Sequence, residues 1–182
     1  MLKGAIICPD EEVCQKLEEL LEDMAVVTLT RSMPRYPNAN ELSRTLRANA
    51  PQVLFLSVEN LSRALEIVTA AEAHLPGVQI VAINRTADPG TLLEVMRSGI
   101  REFVTLPFER KNVMEALSRV KEILDRRPIQ LEHTDLVFSF LPAKPGVGAT
   151  TIAANTAMAV SRLPEQRSLL LDLDLSSGMI RF

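Results

Sequence analysis

The sequence predicts an α/β protein, namely a doubly wound parallel sheet of five strands followed by the start of a second α/β domain. Short apolar runs alternate five times with segments whose apolar residues recur at helical spacing, which is the pattern of a parallel sheet with helices between its strands. The run QVLFLS at residues 52–57 is apolar almost throughout, as expected of a central strand that is covered on both faces. The alternation begins again near residue 136, after a polar stretch.

The elements of the first part can be assigned in order. Strands are predicted at Lys3–Cys8, Ala25–Thr30, Gln52–Ser57, Val78–Ile83 and Glu102–Thr105. Helices are predicted after Asp10, at Glu41–Ala48, at Asn60–His74, after Asp88 and at Glu109–Asp125. Asp10 and Asp88 are expected to be N-caps because a carboxylate accepts hydrogen bonds from the free N–H groups of a first helical turn, and Pro89 suits the first helical position.

A second α/β pattern follows the polar segment DRRPIQLEH. We therefore predict a domain at residues 1–125, a linker at 126–134 and a second domain at 135–182. In the second domain, strands are predicted at Leu136–Phe140 and Ser168–Leu173, with a helix at Thr150–Ser161 between them. Two strands and one helix bury too little surface to fold alone, since domains below roughly 40 residues usually need a staple. We expect this part to be the N-terminal piece of an incomplete domain.

The composition limits the class of protein. Lys plus Arg is 20 and Asp plus Glu is 23, a formal net charge of −3, and no basic stripe with interleaved aromatic residues occurs, so no nucleic-acid partner is expected. No apolar run approaches the roughly 20 residues that span a bilayer, so no direct membrane insertion is expected. Cys8 and Cys14 have neither zinc-ligand nor CxxC spacing, and we expect two core residues in a reducing cytoplasm.

Five β/α units that end in FVTLPF and an amphipathic helix resemble the receiver domain of two-component response regulators. The resemblance implies a receiver-like, or flavodoxin-like, fold for about residues 1–125. It also implies that Ser57 stands at the phosphoacceptor position, where the family has an aspartate. The remaining functional positions of the family, which hold the acidic pair, a hydroxyl and a lysine, correspond here to Cys8, Pro9, Asp10, Asn84 and Leu106.

These replacements remove the receiver's chemistry. Phosphorylation of an aspartate needs a carboxylate nucleophile, a divalent ion and a cation near the phosphoryl oxygens. We therefore predict a pseudo-receiver that is not phosphorylated in the usual way and acts through a docking or dimerisation surface. The resemblance places this surface on the helix at 91–98, the strand Glu102–Thr105 and the following helix. A purely structural spacer is the alternative.

The stretch AKPGVGATT at residues 143–151 has the electrostatics of a phosphate-binding loop, although it lacks the literal pattern G-x-x-x-x-G-K-[ST]. The backbone N–H groups of Gly146, Val147, Gly148 and Ala149 can point into one concavity in front of a helix. Thr150 stands where a hydroxyl would bind Mg²⁺. An ordinary glycine turn that binds no nucleotide is the alternative.

The same loop resembles the deviant Walker A motif of the MinD/ParA ATPases, a P-loop α/β family, through the pattern Lys144-x-Gly146-x-Gly148-x-Thr150-Thr151. The resemblance implies that Lys144 is the signature lysine, which reaches the phosphates bound by a dimer partner. It also implies that Ala149 replaces the ordinary lysine of the loop. Because this lysine normally contacts the phosphates, we expect ATP and Mg²⁺ to be bound better than ATP is hydrolysed.

The segment LLLDLDLSSG completes this second resemblance. It implies that Asp172 helps to organise magnesium and that Asp174 positions the attacking water. Since the chain ends soon after these residues, we expect it to be a fragment of a longer protein, to bind ATP weakly and to be inactive as an ATPase.

A degenerate receiver followed by a MinD-like loop reading GVGATT resembles the CpaE/TadZ group of pilus assembly proteins of the tight-adherence (Flp) systems. The resemblance implies a localisation or assembly factor that forms a homodimer. Its expected partners are pilus or secretion machinery proteins at the inner membrane, and its expected location is the cytoplasm, with recruitment to the membrane or a cell pole. A pure interaction scaffold with decayed sites and an atypical response regulator are the alternatives.

Overall fold

A computed structural model describes residues 1–127, 129, 138–142, 144, 146–163 and 168–172. The chain divides into two compact units, Met1–Thr134 and Asp135–Phe182, and each is described by itself. Within the described ranges, no helix is both long enough and apolar enough to cross a membrane.

The first unit contains a parallel sheet of five strands in the order β2-β1-β3-β4-β5. The strands are β1 Leu2–Ile7, β2 Val27–Met33, β3 Val53–Ser57, β4 Gln79–Asn84 and β5 Glu102–Thr105. Because β3 lies between β1 and β4, the loops that follow β1 and β4 flank the carboxyl end of β3. This strand order creates a crevice at the carboxyl edge of the sheet, where open α/β folds place their sites.

Five helices connect and follow these strands: α1 Glu11–Met24, α2 Ala39–Asn49, α3 Leu61–His74, α4 Pro89–Arg97 and α5 Arg110–Arg126. As predicted, Asp10 and Asp88 are N-caps, whose carboxylates accept from the N–H groups of Val13 and Thr91. Helix α2 begins two residues earlier than predicted because Asn38 caps it, accepting from the Glu41 N–H at 2.9 Å.

Two apolar cores cover the two faces of the sheet. Alternate residues of β3 supply both: Phe55 packs in the core beneath α1 and α5, and Leu54 and Leu56 pack in the core beneath α2 and α3. All five residues of β3 are buried, as predicted for a central strand. Helix α4 is held less firmly than the others, since Val95 is its only buried residue.

The second strand differs from its predicted position at 25–30. Ala25 ends α1 in the left-handed conformation, with φ of 51°, so the strand begins two residues later at Val27. A bulge then shifts the pairing with β1 between Gly4 and Ala5, and the Thr30 hydroxyl donates to the Gly4 carbonyl at 3.0 Å. A bulge adds one residue to a strand, and the apolar pattern of the sequence does not show where this happens.

The described residues of the second unit contain one helix, α6 Ala149–Ser161, which begins one residue before its predicted start. The predicted strands are not formed in the described residues 138–142 and 168–172. Phe138, Leu169 and Leu171 are 67%, 84% and 66% exposed. These segments have the apolar composition of strands, but no strand of the described part of the chain covers them. Isolated strands are not stable, because their backbone groups need a partner.

Candidate functional site

The carboxyl edge of the sheet in the first unit gathers most of the predicted receiver positions. Ser57 is the last residue of β3, Asn84 is the last residue of β4, and Cys8 follows β1. Leu106 follows β5 and packs, partly buried, against the core beneath α1 and α5. Pro9 is partly exposed between Cys8 and the α1 cap.

Ser57 is 2% exposed. Its hydroxyl lies 3.4 Å from the Glu59 N–H, a weak hydrogen bond. Its carbonyl accepts a hydrogen bond from the Tyr36 hydroxyl at 3.0 Å, and the same hydroxyl accepts from the Asn60 N–H at 3.1 Å. Tyr36 thus fixes the turn from β3 into α3, and the serine is held as a neutral, buried group.

Cys8 lies beside this serine and is fully buried. Its thiol donates to the Asp10 carbonyl at 3.3 Å. Burial raises the pKa of the Cys8 thiol to about 11, although hydrogen bonds with Asp10 and Ser57 act in the opposite direction. Since the reactive form of cysteine is the thiolate, Cys8 is neither a base for Ser57 nor a nucleophile at neutral pH.

A cation of the chain itself occupies the neighbourhood of Asp10. The Arg85 guanidinium forms two hydrogen bonds with the Asp10 carboxylate, one of them at 2.8 Å between Nη2 and Oδ1. It also donates from Nη1 to Glu12 Oε2 at 2.6 Å. Lys16 Nζ binds the other oxygen of Glu12 at 2.7 Å. Two carboxylates therefore face two cations in one network.

This network changes the pKa values of three of its members, Asp10, Glu12 and Arg85. Partial burial opposes ionisation of Asp10, but hydrogen bonds from Arg85 and the Val13 N–H, with the charge of Arg85, lower the pKa of the carboxyl. Hydrogen bonds from Lys16 and Arg85 lower the pKa of Glu12 to about 2. Hydrogen bonds to Asp10 and Glu12 raise the pKa of Arg85. All of these groups are charged at neutral pH.

The Mg²⁺ that a receiver binds does not fit these residues. A magnesium site needs free carboxylate oxygens with nearly octahedral geometry. Here the carboxylates of Asp10 and Glu12 are engaged by cations, and Cys8 offers a protonated thiol. Glu11, the third acidic residue after β1, is an exposed residue of the first turn of α1. Among the residues that the structure describes, no group of three or more His, Cys, Asp or Glu could hold a metal ion.

The glycine loop of the second unit has part of the geometry of a phosphate site. Gly146 and Gly148 have φ of 80° and 82°, a conformation that favours glycine. Gly148 is the N-cap of α6 and provides no side chain to its first turn, and the Ile152 N–H closes the first helical hydrogen bond at 2.9 Å. Exposed N–H groups at a helix start attract anions.

The other predicted residues of this loop are only partly described. Lys144, Val147, Thr150 and Thr151 are exposed, and Ala149 is partly exposed. Asp172 is partly exposed in the irregular segment 168–172. Asp174 lies outside the described residues, so its predicted role stays a prediction.

Sequence reasoning missed Arg85, Glu12 and Tyr36. Arg85 directly follows Asn84 at the end of β4, and Glu12 lies two residues after Asp10. The carboxyl ends of parallel strands meet at one edge, so the opposite charges after β1 and β4 were a usable signal. Tyr36 stands in the Pro-rich loop after β2, where no periodic pattern indicates its contact.

No protein-family model and no curated protein matches the chain. Solved structures do match. A pilus assembly-related protein from Burkholderia pseudomallei is 22% identical with a TM-score of 0.58, and the match covers 68% of this chain and 91% of that chain. A protein described as a pilus assembly protein (cpaE) from Burkholderia thailandensis is 26% identical with a TM-score of 0.56, over 67% of this chain and 99% of that chain.

A CheY-like protein (tadZ) from Pseudomonas aeruginosa is 21% identical with a TM-score of 0.56, over 66% of this chain and 93% of that chain. The first unit therefore has the receiver fold, as predicted, and its edge residues define a receiver without the acidic metal site. Within that class its structural neighbours include cpaE and tadZ proteins, which bears out the resemblance stated from the sequence for the receiver part.

Proposed function

We propose that the chain belongs to a localisation or assembly factor of a tight-adherence (Flp) type pilus or secretion system, in which the receiver-like unit is a docking or dimerisation module. The observation that carries the proposal is a receiver fold whose acidic edge is neutralised by Arg85, in a chain similar to proteins described as pilus assembly proteins. A receiver that phosphorylation does not switch acts through its surface.

The proposed docking surface lies on α4 and α5. Leu93 and Met96 of α4 are 49% and 63% exposed, and Met114 of α5 is 43% exposed. Covering such side chains with a partner removes apolar area from water, at roughly 25 cal/mol per Å². The partner is proposed to be a second copy of the chain or a protein of the pilus machinery at the inner membrane.

Two assays test this module. With acetyl phosphate and Mg²⁺, intact mass is expected to show no added phosphoryl group, and a stoichiometric adduct would contradict the proposal. Light scattering is expected to show a dimer that Leu93→Asp weakens. Leu163→Asp, which changes a leucine elsewhere that is 56% exposed against 49% for Leu93, is expected to leave the dimer intact. Equal dimer populations for both variants would remove α4 from the surface.

The second unit is proposed to bind ATP with Mg²⁺. The positive φ values of Gly146 and Gly148 and the absence of a side-chain cap on α6 support this, because they leave backbone N–H groups available to phosphate oxygens. Lys144 would contact phosphates, Thr150 and Asp172 would hold Mg²⁺, and Asp174 would position water. Bound Mg–ATP would supply a phosphoanhydride bond that can be cleaved. Ala149 has no charge, so it would not help to break this bond.

Equilibrium titration with Mg–ATP tests the second unit. Lys144→Ala is expected to weaken binding of Mg–ATP, whereas Lys111→Ala, an exposed lysine of α5, is the matched control and leaves it unchanged. Equal affinities for the two variants would exclude Lys144 from the site. Light scattering with and without Mg–ATP then shows whether nucleotide changes the dimer population.

A pure interaction scaffold is the second candidate function. Ala149 favours it, because the loop lacks the lysine that normally contacts the transferred phosphate. It predicts no binding of Mg–ATP by the chain and a dimer population that nucleotide leaves unchanged. An atypical response regulator is less favoured, since Ser57 and Arg85 leave no site for phosphoryl transfer.

A further inference from the structure

The Arg85 side chain bridges two loops across the end of the central strand. Asp10 follows β1, Arg85 follows β4, and β3 lies between these strands. The ion pair between Asp10 and Arg85 therefore spans the carboxyl end of β3, where Ser57 is 2% exposed. The ion pair between Arg85 and Glu12 spans the same end of the sheet.

Both ends of the bridge are anchored in the fold. Asp10 is 12% exposed and also caps α1 through the Val13 N–H at 3.2 Å. The Arg85 backbone N–H donates to Asn84 Oδ1 at 3.0 Å, which ties the residue to the end of β4. Asp88, the N-cap of α4, lies three residues further on.

We propose that Arg85 is a resident cation that holds the place of a divalent ion at this edge and latches the loop between β4 and α4 to the start of α1. The guanidinium supplies a positive charge and a fork of N–H donors matched to two carboxylates. A divalent ion that binds here would have to displace this tethered fork, and it would also have to lose part of its hydration shell. The latch keeps the carboxyl edge of the sheet in one arrangement, which neither Mg²⁺ nor a phosphoryl donor changes.

The latch has a second consequence, for α4. This helix contributes one buried residue, Val95, so packing alone holds it weakly. Two residues, Thr86 and Ala87, separate the latched Arg85 from Asp88, the cap of α4, and fixing this short loop limits the positions available to the helix. The face that carries Leu93 and Met96 is therefore presented in a constant orientation.

Amide hydrogen exchange of the full chain tests the latch. Arg85→Met removes the fork and keeps most of the aliphatic stem. Arg63→Met is the matched control, because Arg63 makes one exposed pair, with Glu66 on its own helix. Peptides covering residues 84–92 are expected to exchange about three- to tenfold faster in Arg85→Met than in the control. Equal exchange in the two variants would overturn the latch.

Divalent ions test the other half of the proposal. The melting temperature of the unaltered chain is expected to be the same with MgCl₂ or with NaCl of equal ionic strength, and a specific rise with MgCl₂ would overturn the proposal. In Arg85→Met the Asp10 carboxylate and the Oε2 atom of Glu12 lose their bonds to Arg85, and MgCl₂ is expected to raise the melting temperature. No rise in this variant would show that Arg85 does not stand in place of an ion.

Arg85→Lys separates charge from geometry. An ammonium group keeps the positive charge but cannot form the fork that binds Asp10 twice and Glu12 once. We expect this variant to stay insensitive to Mg²⁺ while peptides 84–92 exchange nearly as fast as in Arg85→Met. Exchange as slow as in the unaltered chain would contradict the role of the fork.

Discussion

Replacing Ser57 by aspartate is predicted to destabilise the receiver-like unit without restoring phosphorylation. The residue is 2% exposed, and the neighbouring Cys8 thiol is neutral at pH 7. The one N–H near its hydroxyl, from Glu59, lies at 3.4 Å, and Arg85 is already engaged by Asp10 and Glu12. A carboxylate at this position would therefore be buried with almost no hydrogen-bond donor of its own.

The magnitude follows from the charge that is buried. An unpaired ion in a protein interior costs several kcal/mol, and one good hydrogen bond to a charged group returns about 1.5–3 kcal/mol. We expect a net loss of roughly 2–4 kcal/mol in the free energy of unfolding at pH 7.5. Ser57→Asn adds nearly the same volume without the charge, and it is expected to cost about 1–2 kcal/mol through overpacking.

Urea unfolding of both variants at pH 7.5 and pH 5 gives the measurement. Burial disfavours the charged form, so the penalty grows as the pH rises above about 3.9, where an unfolded aspartate ionises. The stability difference between the two variants should therefore be larger at pH 7.5 than at pH 5. Equal stability of the two variants at both pH values would refute the reasoning, because Arg85 or water would then be available to the new carboxylate.

Three further predictions concern the rest of the first unit. Gly4→Ala places a methyl group 2.6 Å from Val27 Cγ1, and urea unfolding should show a loss of about 1–3 kcal/mol, whereas Gly90→Ala, which meets only Asp88 Oδ1 at 3.3 Å, should change stability by less than about 1 kcal/mol. Glu102→Gln removes a carboxylate that is 7% exposed and binds Arg119 twice, at 2.7 and 2.8 Å, and should cost about 1–2 kcal/mol by the same assay. The stability difference between the unaltered chain and Arg85→Met should be constant near neutral pH and diminish as the pH falls from 4.5 towards about 2, because the pKa of Glu12 is lowered over that range and that of Asp10 is lowered as well. A difference that persists at pH 2 would contradict an ionic latch.

Much of the first unit could be predicted from the sequence because its elements are each periodic and locally terminated. All five residues of the run 53–57 are buried and four of them are apolar, and the caps Asp10 and Asp88 act through contacts three residues away. The start of β2 was wrong because Ala25 adopts a left-handed conformation, which the residue type does not favour. The sequence pattern therefore predicts an element well where interactions between residues close in the chain determine its structure.

The strands predicted in the second unit are not formed in the parts of them that the structure describes, and the reason is non-local. Residues 168–172, SLLLD, are as apolar as a buried strand, and composition alone favours one there. A strand also needs a neighbour to satisfy its backbone and cover its side chains, and Leu169 and Leu171 remain exposed. Helix α6 was predictable within one residue because its hydrogen bonds are internal to it.

The candidate site shows the same division at the level of single residues. Loss of the phosphoacceptor could be predicted, since one position, Ser57, decides it. The replacement of a metal by Arg85 could not be deduced from any one position, because it joins residues 75 apart in the chain. It follows only when β1 and β4 are placed on either side of β3, so that a charge after one strand meets a charge after the other. The strand order thus explains how a sequence without a magnesium site gives a structure in which the Arg85 cation stands at that place.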